Sequence, residues 1–145
     1  MIGLIQRVSY AKVVVENKEI AAIDQGILLL LGVEKNDDDE NAKNLLEKIL
    51  NFRIFEDEKG KMNLSLLDIQ GNLLVVPQFT LPANTQKGTR PSFASAAPPQ
   101  RGKDLFKQFI SLASDRVPNL QTGEFGADMK VSLCNDGPVT FWLQK

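Results

Sequence analysis

The chain has 145 residues and not one histidine. Imidazole is the side chain whose unperturbed pKa lies nearest neutrality, so any hydrolysis here runs without the usual proton carrier. A Ser-His hydrolase is excluded, and Ser92, Ser95 and Ser111 have no evident lysine to serve as base instead. Cysteine is nearly as scarce. Cys134 stands alone, which rules out an internal disulfide and fits a reducing compartment such as the cytoplasm. There is no zinc-ligand spacing, and no glycine-rich phosphate loop follows a strand. Long apolar runs are missing too: the longest, Gly26 to Val33, is far too short to span a bilayer and too distant from the N-terminus for a signal peptide. Nor does one sign of charge dominate. A net charge of -1 supplies no global basic field to grip a duplex, so no DNA partner is expected and any nucleic-acid contact must be local.

What is present suffices for a core: 43% of residues are apolar, in a chain of ordinary single-domain length, and residues 1–145 read as one domain. Ile2 to Val8, Ala11 to Glu16 and Glu19 to Ile23 are β-branched, partly alternating strands, with "ENKE" as a hairpin turn. The run from Gly26 to Val33 reads as a strand buried on both faces. "NDDDE" opens a helix capped by Asn36 or Asp37, with Ala42, Leu45, Leu46, Ile49 and Leu50 as its apolar stripe. Without spaced ligands this acid run is a cap rather than a metal site.

"FRIF" (Phe52 to Phe55) reads as a short strand, and "LLVVPQFTL" as a strand that breaks at Pro77. A second helix covers about Gly102 to Arg116, with Leu105, Phe106, Phe109, Leu112 and Ala113 inward and Pro118 ending it. The segments "MKVSL" and "VTFWLQ" form a last strand pair, and the "NDGPVT" between them reads by itself as a tight turn. The fold class that follows is α/β: a mixed, bent or barrel-like β-sheet with two packed helices.

Three irregular stretches, "VPQFTLPA", "TGEFGADM" and "NDGPVT", interrupt regular elements and are expected at a sheet rim, where pockets form. They offer an amide (Gln78), one hydroxyl (Thr80), two rings (Phe79, Phe125), a thioether (Met129) and free backbone N–H groups. Such groups are poor acid/base catalysts and good holders of a small group. Pro82 to Gln100 has no periodic pattern, and an irregular loop of that length is more often functional than idle. Its flanking Lys87, Arg90, Arg101 and Lys103 are a solvated face or a local phosphate contact.

"LIQRV", "QFTL", "KGTRPSF", "TGEFGADM" and "NDGPVT" match, in order and spacing, the D-aminoacyl-tRNA deacylases, which the chain resembles along its whole length. The resemblance implies a cytoplasmic homodimer, with neither metal nor cofactor and no membrane partner. It implies a hydrolase that cleaves the ester between a D-amino acid, or glycine mischarged on tRNA(Ala), and the 3′ end of tRNA. Gln78, Phe79 and Thr80 match the family's catalytic motif, where backbone N–H groups would hold the oxyanion. Gly137 and Pro138 match a cis pair that enters the other subunit's site and excludes L side chains, and Arg7 matches the arginine that steadies it. Phe125, Gly126, Ala127 and Met129 match residues of the pocket for the terminal adenosine. One position departs: Pro77 stands where the family usually has serine. The alternative reading is therefore a catalytically impaired module that binds the aminoacyl-tRNA end.

Overall fold

A computed structural model describes all 145 residues. Its frame is a six-stranded sheet organised by one long strand, β1 (Ile2–Val15). The first half of β1 pairs antiparallel with β3 (Gly26–Gly32) and the second half with β2 (Lys18–Ile23). Its opposite edge pairs antiparallel with β8 (Lys130–Gln144) from end to end. Beyond β3 the pairing becomes parallel, with β6 (Asn72–Pro77) next and β7 (Leu120–Thr122) last. Parallel neighbours cannot be joined by a tight turn, so the chain crosses over between them. The first crossover carries α1 (Asp39–Leu50) and a two-stranded hairpin, β4 (Phe55–Glu56) and β5 (Met62–Leu64). The second carries α2 (Pro99–Ser114).

The continuous apolar runs of β3 and β6 are explained by burial on both faces. Ile27, Leu29, Leu73 and Val75 point into a cluster with Leu45, Ile49 and Phe109 of the helices. Leu28, Leu74 and Val76 point the other way, against Val8, Val13 and Ile23 of the curled antiparallel strands. Complete burial of each leucine contributes about 1.5–3 kcal/mol. No helix is long and apolar enough to cross a membrane.

Five local expectations are corrected. Ile2 to Val15 is one strand rather than two. The cap of α1 is Asp38, whose carboxylate accepts the N–H groups of Glu40 and Asn41 while the Asn41 side chain accepts from the Asp38 N–H. Asp37 is occupied elsewhere: its buried carboxylate takes the Met1 ammonium and the Glu34 N–H. The helix α2 begins three residues early because Pro99 sits at its first turn, where a missing N–H costs nothing. Of "FRIF" only Phe55 is in a strand.

The fifth correction is the largest. "NDGPVT" is no hairpin turn, because the segments on both sides of it pair with β1 in the same sense. Asn135 stands opposite Val8 and Thr140 opposite Gln6, so Asp136, Gly137, Pro138 and Val139 face the single residue Arg7. The surplus forms a bulge, and the Gly137–Pro138 peptide in it is cis. Arg7 is buried and ties the bulge down. Its Nε donates to the Asp136 carbonyl at 2.9 Å, and its other arm donates to the Ile54 carbonyl at 2.7 Å.

Arg7→Ala removes both bonds and should lower unfolding stability by about 2–3 kcal/mol, the cost of leaving buried acceptors unpaired. Lys130→Ala, which breaks only an exposed pair with Asp128, should stay within about 0.5 kcal/mol in the same urea titration. Asp38→Ala should cost about 1 kcal/mol through the lost cap, whereas Asn36→Ala should be neutral.

Candidate active site

The strands β3, β6 and β7 run parallel, so their C-terminal ends meet at one edge of the sheet. A cavity of about 640 Å³ opens there, within the range of small-molecule sites. Val33 trails β3, Pro77 ends β6 with Gln78 and Phe79 trailing it, and Phe125 and Gly126 trail β7; all of these line it. The far wall is the loop before α2, together with Gly102 and Phe106 on the helix itself.

That loop is not structureless. Its backbone is laced to the chain beyond β3, with Ala97 N–H donating to Val33 O at 2.9 Å and Lys35 N–H to Ser95 O at 3.0 Å. Phe93 is thereby brought over Phe79, ring centroids 5.2 Å apart, with 43% and 63% of the two residues exposed. Two apolar rings left open to water at the mouth of a cavity suit a planar ligand.

The turn after β6 is placed by Gly32. A Cβ there would lie 2.9 Å from both Leu81 Cβ and Pro82 Cδ, so only glycine lets this turn fold back over the end of β3. Gln78 N–H donates to Leu31 O at 2.8 Å, the last rung of the ladder. The next two amides, of Phe79 and Thr80, find no acceptor in the chain. They are a pair of adjacent donors at the cavity rim. The Thr80 hydroxyl is held from the side, accepting from Gln78 Nε2 at 2.6 Å.

Pro77 takes no rung from the β3–β6 ladder. Backbone groups alternate sides along a strand, and Gln78 points its N–H at β3, so the amide of residue 77 would point toward β7. There the last rung is already closed by Gly123 N–H on Val75 O, at 2.9 Å. A proline at the end of a strand beyond its partner is sterically and electrostatically permitted.

The sequence-derived residues separate into three places. Gln78, Phe79, Phe125 and Gly126 line the cavity, and Thr80 adjoins it. Ala127 and Met129 lie behind it. The Ala127 N–H closes a turn on Glu124 O, and Met129 Sδ accepts the Glu124 N–H at 3.3 Å. A Cβ on Gly123 would come 2.8 Å from that sulfur, so a side chain there would push the Met129 thioether off the Glu124 amide. Arg7, Gly137 and Pro138 form their own cluster and do not line the cavity of their own chain. The sequence did not single out Phe93, Ala97, Pro98 or Gly102 as part of the wall. Glycine inside a helical pattern was the available signal, for the Phe125 ring packs 3.4 Å from where a Gly102 Cβ would sit.

No residue lining the cavity is titratable. The two carboxylates held below the usual range lie elsewhere: Asp57 by the Lys61 N–H and the Asn63 side chain, and Asp68 by the N–H and hydroxyl of Ser65. No group of carboxylates, cysteines or histidines is arranged to hold a metal ion. The chemistry available at the site is therefore hydrogen bonding by fixed backbone donors within apolar walls.

A family model described as D-Tyr-tRNA(Tyr) deacylase matches residues 4–144. A protein of Pseudoalteromonas translucida (strain TAC 125) named D-aminoacyl-tRNA deacylase is 61% identical over 143 residues, 99% of each chain. One of the same name from Dichelobacter nodosus (strain VCS1703A) is 57% identical over 143 residues, again 99% of both. Among solved structures, a c-Myc DNA Unwinding Element Binding Protein superposes with a TM-score of 0.96 at 38% identity, over 100% of this chain and 99% of its own. A probable eukaryotic D-amino acid tRNA deacylase shares the fold, with a TM-score of 0.87 at 16% identity over 99% and 98%. This chain belongs to the D-Tyr-tRNA(Tyr) deacylase family.

Proposed function

We propose that the chain hydrolyses the ester joining a D-amino acid to the 3′ end of tRNA, a chiral proofreading step of translation in the cytoplasm. Glycine mischarged on tRNA(Ala) is released in the same way. The observation that carries this reading is the pair of free amides, Phe79 and Thr80, at the rim of a cavity without an ionisable side chain. Terminal adenosine enters between the apolar walls, with Phe125 and Gly126 on one side and the Phe79 and Phe93 rings at the mouth.

Water adds to the ester carbonyl, and the oxygen that gains negative charge is received by the two amides, which need no reorganisation to do so. The bond to the ribose 3′ oxygen then breaks. That oxygen leaves with a proton from the water, giving free amino acid and tRNA. No side chain of the cavity can take the water's proton, so the neighbouring 2′-hydroxyl of the substrate orients or activates the attack. The protein supplies position and electrostatics.

Chirality is set by a second copy of the chain. Gly137 and Pro138 project from the bulge opposite Arg7, outside their own cavity, in keeping with a role in a neighbour's. The outer edge of β8 has no strand partner, and Tyr10, Phe141 and Trp142 on β1 and β8 are 49%, 38% and 51% exposed. An open edge bearing large aromatics is the kind of surface a homodimer covers. Pro77 leaves the donor pair untouched, which favours an active enzyme over a module that only binds.

Incubation with D- and L-tyrosyl-tRNA should release tyrosine from the D ester alone; binding of both without release would establish the impaired module instead. Thr80→Ala should keep most activity, while tRNA ending in 2′-deoxyadenosine and charged at the 3′ position should be cleaved far more slowly. A trapped acyl group on Thr80 would overturn the mechanism. The rate should also rise monotonically with pH from about 5.5 to 9, for the cavity contains no group to impose a bell. An inflection in kcat that persists with an Nα-acetyl-D-tyrosyl ester, which lacks the substrate's own titrating amine, would require an ionising side chain that the cavity lacks.

A further inference from the structure

A second groove, of about 410 Å³, lies alongside the cavity. The two share a wall: Phe106 and Phe125 line both, with ring centroids 6.0 Å apart. Lys103 and Lys107 of α2 border the groove, one turn apart on one helix face, and Ile20 of β2 lies opposite. Neither lysine is in an ion pair, unlike Lys12 and Lys130. Glu124 is the only carboxylate among the lining residues, so two cations stand against one anion on a chain whose net charge is -1.

We propose that this groove carries the sugar-phosphate backbone of the nucleotides preceding the terminal adenosine, with Lys103 and Lys107 as its phosphate contacts. The proposal rests on the cavity's taking that adenosine. A nucleoside can enter a neutral apolar cavity, but the 5′-phosphate it carries within an RNA strand cannot be left there without a cation or water. The strand must leave past the rim, and beyond the Phe106–Phe125 wall the first charges it meets are these two ammonium groups. Residues four apart on a helix are about 5–6 Å apart at Cβ, and flexible lysine stems let two ammonium groups reach successive phosphates. Such contacts carry no base sequence. They serve every tRNA alike, leaving chemistry and chirality to the cavity.

The test is the Lys103→Gln/Lys107→Gln double variant, beside a Lys59→Gln/Lys61→Gln control on the β4–β5 hairpin, which lines neither cavity nor groove. Three substrates are compared: D-tyrosyl-tRNA, the short ester 3′-O-(D-tyrosyl)adenosine, and uncharged tRNA in a binding titration. The groove variant should raise KM for the tRNA ester about tenfold with kcat retained, and should make the log-log salt slope of tRNA binding less negative by about 1.4, two single-strand phosphates' worth. Its kcat/KM on the short ester should remain within about twofold of the unaltered protein. An unchanged KM and slope would overturn the proposal, as would equal losses in the control or on the short ester. The binding slope reports on the lysines even without turnover. Failure of the unaltered protein to cleave D-tyrosyl-tRNA would instead count against the functional reading.

Discussion

Everything at the site depends on the parallel pairing of β3, β6 and β7. An antiparallel arrangement would send alternate strand ends to opposite edges, and the turns that follow them could not meet. Parallel pairing brings the segments after Gly32, Pro77 and Thr122 to one edge, and the crossover through α2 returns the chain across that edge as the fourth wall. Ligand sites at the carboxyl ends of parallel strands are a general consequence of this geometry. The antiparallel half of the sheet does a different job: it completes the second apolar cluster and carries the bulge.

The bulge is itself a consequence of pairing on both edges of β1. Because β3 fixes the register of Ile2 to Val8 on one side, β1 cannot yield to an insertion on the other. The extra residues of β8 must therefore leave the sheet, and they do so where Arg7 lies opposite. A guanidinium suits that position, since its donors point in two directions at once, to the Asp136 carbonyl and to the Ile54 carbonyl before β4. A lysine could make one of these contacts but not fix the angle between them.

Much of this was legible in the sequence, for reasons that differ by residue. The two-sided burial of Gly26 to Val33 showed in its unbroken apolar run, and the inner faces of both helices in their period. Gln78, Phe79, Phe125 and Gly126 meet at one cavity because the irregular segments that carry them follow the ends of parallel strands. What failed to show was long-range. Asp37 resembles a cap until the Met1 ammonium is placed beside it, 36 positions away in the chain. "NDGPVT" resembles a turn because two strand-like segments flank it, and only the register against β1 shows that both belong to one strand. Met129 was grouped with the pocket, but it acts one layer back, beneath Gly123. The loop from Pro82 to Gln100 stood out as functional, but its part from Phe93 to Pro98 could not be read as a wall, since no local pattern announces that it will be laced to the chain beyond β3.

A cavity lined without ionisable groups constrains how its chemistry can evolve. Side-chain catalysts are lost by single substitutions, but the amide of residue 79 survives any replacement other than proline, provided the turn that aims it persists. That turn is held by the Gln78–Leu31 bond and by the space that Gly32 leaves, neither of which involves the side chain at position 77. Proline there removes only an N–H that would face past the end of β7, and its fixed φ narrows the choices of the chain entering the turn. The position least open to change is Gly32, where an added Cβ would meet the rigid Leu81 Cβ and Pro82 Cδ at 2.9 Å; at Gly123 the clash is with the more yielding Met129 sulfur. The shape of this site is thus set by steric fit, and the polar groups it offers at Phe79 and Thr80 belong to the main chain.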